Sequence, residues 1–143
     1  MMDDTVTTIL LVGSDAALLE GLAQTLAARG YATTVASSLQ EAREGAATRT
    51  PLVAVIERDL AASAPGLVLG IPLVRGGALL AFHQRPEDRA ILAAPVQRAL
   101  LADLALPLER NRLLALVQHV EERVRATGRQ AQDIASRREQ NPP

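Results

Sequence analysis

The sequence predicts an α/β fold with a parallel β-sheet, and three observations carry that prediction. Leu52–Ile56 is an unbroken apolar run, which is typical of a strand covered on both faces. Thr8–Val12, which is apolar from Ile9 onward, is predicted to be a second buried strand. Strand-like and helix-like segments alternate from residue 8 to residue 56 with short connections, which implies parallel strands joined by right-handed crossovers. Glu57 then follows a buried parallel strand, at the edge where open α/β sheets place ligands and chemistry.

The first strand ends at Gly13-Ser14-Asp15, where Ser14 or Asp15 is expected to cap a helix by accepting from its free N–H groups. The apolar residues of that helix recur at helical spacing: Leu18, Leu19, Leu22, Leu26 and Ala27. Gly30 is a typical helix stop. The pattern therefore predicts one helix between the first two strands.

Tyr31–Ala36 is rich in Thr and Val and predicts the second strand. Ser37 or Ser38 is expected to cap a short helix through about Ala47, since Ser38 and Glu41 have the spacing of a capping box. The Leu52–Ile56 strand comes next.

The middle of the chain has a weaker pattern. Leu60–Gly66 is predicted as a loop, and Leu67–Val74, interrupted by Gly70 and Pro72, as a short irregular helix. Arg75-Gly76-Gly77 predicts a turn and Ala78–Phe82 the fourth strand.

The last third begins with Pro86, a residue that is accepted at the first position of a helix. We expect a helix over Glu87–Leu101, interrupted by Pro95, and a fifth strand over Ala102–Leu106. The final helix begins near Glu109, and its apolar face comprises Leu113, Leu114, Val117, Val120 and Val124.

Composition excludes several functional classes. The 143 residues suit one domain, and 48% of them are apolar, which favours a globular fold. One Phe, one Tyr and no Trp leave no platform for stacking bases, and a net charge of −1 argues against nucleic-acid binding. The absence of cysteine excludes disulfides and thiolate metal sites, and suits the cytoplasm. Asp3 and Asp4 near the start argue against a signal peptide, and no apolar run is long enough for a membrane span.

Five βα units in this order resemble the receiver domain of two-component response regulators. The resemblance rests on Ile9–Asp15 with the helix that runs to Arg29-Gly30-Tyr31, on Pro51–Glu57, and on Leu104–Pro107 before the last helix. It implies a flavodoxin-like, CheY-like sheet with strand order 2-1-3-4-5, helices on both faces, and an extended C-terminal helix. We expect the receiver-like domain to cover residues 1–125 and residues 126–143 to form a helical extension or linker.

The resemblance also defines where this sequence departs from an active receiver. Receivers hold Mg²⁺ with two adjacent carboxylates, and here those positions are Gly13 and Ser14, with Asp15 one place later. The phosphoacceptor Asp is replaced by Glu57, and Phe82 and His83 occupy the position of the usual hydroxyl residue. Leu106 replaces the lysine before the late proline, and Asp103 the switch aromatic. Phosphoryl transfer depends on those charges, so we expect a degenerate receiver, or pseudo-receiver, with neither metal nor cofactor.

The resulting hypothesis is a non-enzymatic, phosphorylation-independent signalling module in which Glu57 is either a permanent negative charge or a relic. One alternative is an active receiver that uses Asp15, Asp59 or Glu57 from shifted positions. A second is a nucleotide-binding module in which Arg58, Arg75 and Arg85 would have to converge. His83 near the site is expected to be solvated, His119 to lie on the surface, and Asp59 to lie in a loop.

The final helix extends about 15 residues beyond the predicted domain, and a single amphipathic helix without a partner is marginally stable. Apolar residues continue through Val117, Val120 and Val124 to Ala131 and Ile134. We therefore expect either a homodimer through this helix or a linker to an output domain. The layout resembles the divergent receivers that precede the ATPase module of enhancer-binding transcription activators, which implies a protein partner or attached output domain.

Overall fold

The computed structural model describes residues 6–88 and 90–140, with side chains described through residue 128. Five parallel strands form one sheet in the order β2-β1-β3-β4-β5, as predicted. The strands are β1 (Thr8–Val12), β2 (Ala32–Ala36), β3 (Val53–Glu57), β4 (Ala78–His83) and β5 (Leu100–Ala105). The helices are α1 (Ala16–Ala27), α2 (Leu39–Thr48), α3 (Arg58–Ser63), α4 (Pro65–Leu69), α5 (Ala94–Ala99) and α6 (Arg110–Gln140).

The sheet is covered on both faces because its central strands alternate between two apolar layers. Ile9, Leu11, Val53 and Val55 pack with α1 and α6. Leu10, Val12, Ala54 and Ile56 pack with α2, α3, α4 and α5. This two-sided burial explains why β1 and β3 were readable from the sequence as continuous apolar runs.

Two predicted helix caps are present. Asp15 is the N-cap of α1, with its carboxylate accepting from the Leu18 N–H at 3.1 Å. Ser38 is the N-cap of α2 and accepts from the Glu41 N–H, while the Glu41 carboxylate accepts from the Ser37 N–H. These bonds satisfy N–H groups that have no partner inside the helix.

The prediction of a loop over Leu60–Gly66 was wrong. Arg58–Ser63 forms α3, since leucine and alanine are strong helix formers and Ala61 can be buried against the sheet. Pro65 then lies in the first turn of α4, where its missing N–H is tolerated. Asp59 therefore lies in the first turn of a helix rather than in a loop.

The predicted helix over Glu87–Leu101 is mostly absent. Only Ala94–Ala99 is helical, with Pro95 in its first turn, and Leu100 already belongs to β5. Upstream, the carbonyl of Ala90 accepts from the Nε–H of Arg58 at 2.8 Å, so a tertiary contact uses a backbone group that a helix would need.

The long final helix is present as α6. Val117 and Val120 are fully buried against the sheet, and Val124 is half-buried. Two of the three valines assigned to a dimer or linker helix therefore lie inside the domain core, where they are not available to a second copy. Ala131 and Ile134 lie outside the residues whose side chains are described. Within the described residues, no helix combines the length and the apolarity that a membrane span requires.

Candidate functional site at the carboxyl edge of the sheet

The carboxyl ends of β1, β3, β4 and β5 bring nearly all the sequence-predicted site residues to one edge of the sheet. Val12 of β1 pairs with Ile56 of β3, so the loop after β1 lies beside the end of β3. Glu57 pairs in register with Phe82 of β4. The predicted positions Gly13, Ser14, Glu57 and Phe82 are therefore neighbours.

The Glu57 carboxylate is held by Ser14. The Ser14 N–H donates to Glu57 Oε2 at 2.8 Å. The Ser14 hydroxyl lies 3.0 Å from Oε1 and 2.9 Å from Oε2, so its proton is directed at the same carboxylate. These contacts from one residue orient the carboxylate, so Glu57 is a fixed acceptor rather than a free side chain.

Gly13 leaves room for this arrangement. A Cβ atom at residue 13 would lie 3.1 Å from Phe82 Cζ and 3.3 Å from Glu57 Oε2. The Phe82 ring and the Glu57 carboxylate thus fill the volume that a side chain on residue 13 would need. A side chain at this position would require the phenyl ring or the Glu57 carboxylate to shift.

Asp15 is engaged in local structure. Its Oδ1 caps α1 and its Oδ2 accepts from the Gln84 side-chain amide at 3.0 Å. The Gln84 hydrogen bond, followed by the one from the Leu18 N–H, holds the pKa of Asp15 below its ordinary value. Both oxygens of Asp15 therefore have donors already.

A second charged cluster, which the sequence did not predict, joins three elements at this edge. The Arg58 guanidinium pairs with Asp103 Oδ2, and His83 Nδ1 lies 3.3 Å from Asp103 Oδ1. The side chains of Arg58 and His83 are each 17% exposed, so the expectation of a solvated His83 was wrong. Each residue was visible as a charge near the end of a strand, but their convergence depends on the register of β4 with β5, where Ala81 pairs with Asp103.

The position at which the resemblance implied a lysine is apolar and closed. Leu106 is buried, and its N–H donates to the His83 carbonyl at 2.9 Å. The sequence contains no lysine at any position, so the missing ammonium cannot come from another element. Next to it, Glu109 Oε1 accepts from the Ala105 N–H at 2.7 Å, and this bond lowers the pKa of Glu109.

The space left at this edge is small. A concavity of about 20 Å³ is lined by residues of β3, α3 and β4 that include Glu57, Arg58 and His83. That volume suits about one water molecule and not a nucleotide. Arg75 lies at the opposite edge of the sheet, before β4, so the three arginines of the nucleotide alternative do not converge. Among the described residues, no group of three His, Cys, Asp or Glu side chains has an arrangement that could hold a metal ion.

No protein-family model and no curated protein matches this sequence. Solved structures do match. A receiver domain from Methylobacillus flagellatus is 18% identical with a TM-score of 0.65, covering 81% of this chain and 99% of its own. The N-terminal domain of a response regulator/sensory box/GGDEF three-domain protein from Carboxydothermus hydrogenoformans is 14% identical with a TM-score of 0.68, covering 85% and 98%.

A third similar structure, in which a trimeric coiled coil from yeast is fused to another chain, is 14% identical with a TM-score of 0.66. The match covers 96% of this chain and 94% of that one. At these identities the similarities establish the fold, which is the CheY-like fold of response regulator receiver domains.

Proposed function

We propose that this chain is a phosphorylation-independent signalling module, a pseudo-receiver that acts by binding protein partners or by regulating an attached output domain in the cytoplasm. One observation carries the proposal: the Glu57 carboxylate, at the position where receivers carry the phosphoacceptor, is bound by the N–H and the hydroxyl of Ser14. Donors from the chain itself take the place of the metal and cation contacts that phosphoryl chemistry requires.

Three further features support the same function. The volume next to Gly13 is filled by Phe82 and Glu57, and Asp15 is occupied by the α1 N-terminus and Gln84. Leu106 and the absence of lysine remove the cation that would stabilise an acyl phosphate. Asp59 is the exception to these features. It is exposed on α3, and it is the one carboxylate of the shifted-site alternative for which no contact is described above.

The proposed link to a second copy or to an output domain depends on helix α6. This helix continues to Gln140, well past Val120, the last fully buried core residue among those described. We propose that the part beyond residue 125 joins two copies or leads to an output domain. The Carboxydothermus structure is the N-terminal domain of a three-domain protein, and the yeast fusion carries a coiled coil.

The decisive experiment is a titration of the full chain with Mg²⁺ and beryllium fluoride, followed by amide NMR shifts. We expect no saturable shifts at Gly13–Asp15 and Glu57. Saturable shifts at these amides that spread to Phe82 would contradict the proposal and establish a rearranged but active phosphoacceptor site.

A substitution tests whether the Glu57 charge has a regulatory role. Glu57→Gln keeps one acceptor oxygen and removes the charge, so we expect a changed self-association constant in sedimentation of the full chain. Glu20→Gln, an equally conservative change at an exposed position of α1, is the matched control. Identical self-association in Glu57→Gln, Glu20→Gln and the unmodified chain would mean that the Glu57 charge has no regulatory role and that the residue is only structural.

A further inference from the structure

A second concave surface lies at the opposite, amino edge of the sheet, where α6 passes the turn before β4. The cavity has a volume of about 490 Å³. Ligand pockets in proteins range from about 300 to 1,000 Å³. Its walls come from two elements, the turn with Arg75 and Gly76 and the α6 residues Arg123, Val124, Thr127 and Gly128. This cavity is more than ten times the size of the one at the carboxyl edge.

The charge of the cavity is positive. Arg75 and Arg123 each bring a guanidinium, and the described residues that line the walls include no carboxylate. Neither arginine makes an ion pair within the part of the chain that the structure describes. Arg123 donates only a long hydrogen bond of 3.4 Å, to the Gly76 carbonyl. Arginine is charged at every physiological pH, and its planar fork of donors matches carboxylate and phosphate groups.

The remaining wall of the cavity is largely apolar, and on one side the turn and the helix pack closely against each other. Gly76 has a φ of +84°, and a Cβ atom there would lie 3.2 Å from Val124 Cγ2, so the turn and the helix approach directly. At Gly128, by contrast, a Cβ atom would meet no atom within 4 Å, which leaves that end open. No aromatic ring is found among the described residues that line the cavity, so a nucleobase would have no stacking partner there.

We infer that this cavity binds a small organic anion with one carboxylate or phosphate head and a short aliphatic body. The head lies between Arg75 and Arg123, and the body lies against Val124. Because the two arginines belong to different elements, a bound anion joins the turn before β4 to α6. The ligand thereby fixes α6 at the point where it leaves the domain, which makes the cavity a regulatory site independent of Glu57.

Titration of the full chain with three probes of equal chain length tests this inference by amide NMR. Hexanoate and hexyl phosphate carry the two candidate heads, and hexanol carries none. We expect saturable shifts at Gly76, Val124 and Gly128 with at least one anion, and at least tenfold weaker binding of hexanol. The stronger of the two anions identifies the head group. Absence of saturable shifts with both anions, or equal binding of hexanol, would overturn the inference.

Variants locate the binding to this cavity. Arg75→Gln and Arg123→Gln should each weaken the anion about tenfold, whereas Arg110→Gln, an exposed arginine about 20 Å away on the same helix, should not. Gly128→Leu places a side chain in the open end and favours the helix, so it should abolish binding without unfolding the protein. Unchanged affinity in both cavity arginine variants, or in Gly128→Leu, would show that the anion binds elsewhere.

Discussion

In the Glu57–Ser14 pair, one serine supplies two donors to a carboxylate at the end of a buried strand. A glutamate is one methylene longer than an aspartate, and here the added length coincides with a serine whose N–H and hydroxyl receive the carboxylate. Such a contact needs no metal ion and no phosphoryl group. Glu57 therefore has a structural partner within the chain itself.

Ser14→Ala tests the strength of this contact. The backbone N–H bond remains while the hydroxyl donor is lost, so the free energy of unfolding should fall by about 1 kcal/mol, the usual net value of a hydrogen bond. Urea denaturation of the variant measures this change. Ser37→Ala is the control, since Ser37 contributes its backbone N–H to the contact with Glu41. Equal stability of Ser14→Ala and the unmodified protein would mean that the hydroxyl adds nothing to the hold on Glu57.

Among the secondary-structure elements, the sequence predicted the strands whose burial gives a continuous apolar run. It missed segments whose conformation depends on hydrogen bonds to residues far away in the sequence. β1 and β3 are buried on both faces, and their apolar runs are visible directly. The caps at Asp15 and Ser38 follow from local chemistry and were also predictable. In these cases the information is contained in a few consecutive residues.

The segment from α3 to β5 needed information that is not local. The Arg58 bond to the Ala90 carbonyl spans 32 positions, and the Arg58 pair with Asp103 spans 45. A propensity pattern contains no record of such partners, so residues 87–93 were predicted as helix. The same difference holds for the candidate site. Glu57, Gly13 and Ser14 could be predicted because they directly follow buried strands in the sequence, whereas the Arg58–Asp103–His83 cluster could not.

Besides its apolar packing, helix α6 contacts the sheet through one carboxylate, that of Glu121. Glu121 Oε2 accepts from the Thr7 hydroxyl at 2.8 Å, and Oε1 accepts from the Tyr31 hydroxyl at 3.1 Å. The Glu121 side chain is only 16% exposed. Thr7 and Tyr31 directly precede β1 and β2, so these bonds connect the helix to the amino ends of both strands. Glu121 directly follows Val120, the last fully buried residue of α6 among those described.

This attachment predicts a pH dependence at alkaline pH. Burial, followed by the negative charge of Glu121, raises the pKa of Tyr31 above its ordinary value of 10.0. The protonated phenol is therefore the form that folding stabilises, so its contribution is complete below pH 10 and is lost as the pH rises through the raised pKa. Tyr31 is the only tyrosine and the chain has no tryptophan, so ultraviolet absorbance follows this single phenol.

Tyr31→Phe is the matching variant. It should lower the free energy of unfolding at neutral pH by about 1 kcal/mol, because one hydrogen bond to a partly buried carboxylate is lost. It should also reduce the alkaline dependence of stability. A Tyr31 titration at the ordinary value, together with an unchanged alkaline profile in Tyr31→Phe, would show that the phenol does not hold α6.

At the scale of the whole molecule, the two edges of the sheet differ in how far they are closed. The carboxyl edge is filled by contacts among Ser14, Glu57, Phe82, Arg58 and Asp103, and leaves room for about one water. The amino edge contains the larger cavity and the departure of α6. The sheet therefore has a closed carboxyl edge and a more open amino edge beside α6.

Removal of residues 126–143 separates the domain from its extension. The fully buried core residues described here all precede residue 121, so the shortened chain should keep its cooperative unfolding transition, with a free energy of unfolding within about 1 kcal/mol of the full chain. If the extension joins two copies, the full chain should sediment as a dimer and the shortened chain as a monomer.

A full-length variant makes the same test without shortening the chain. Ile134→Asp places a charge at an apolar position of the heptad-like pattern, where a coiled-coil seam would have to bury it, so it should weaken the dimer at least tenfold. Arg138→Asp, at a charged position of the same segment, should leave the dimer intact. A monomeric full chain would instead favour the linker role, since an extension of this length without a partner is stable only when another domain covers its apolar face.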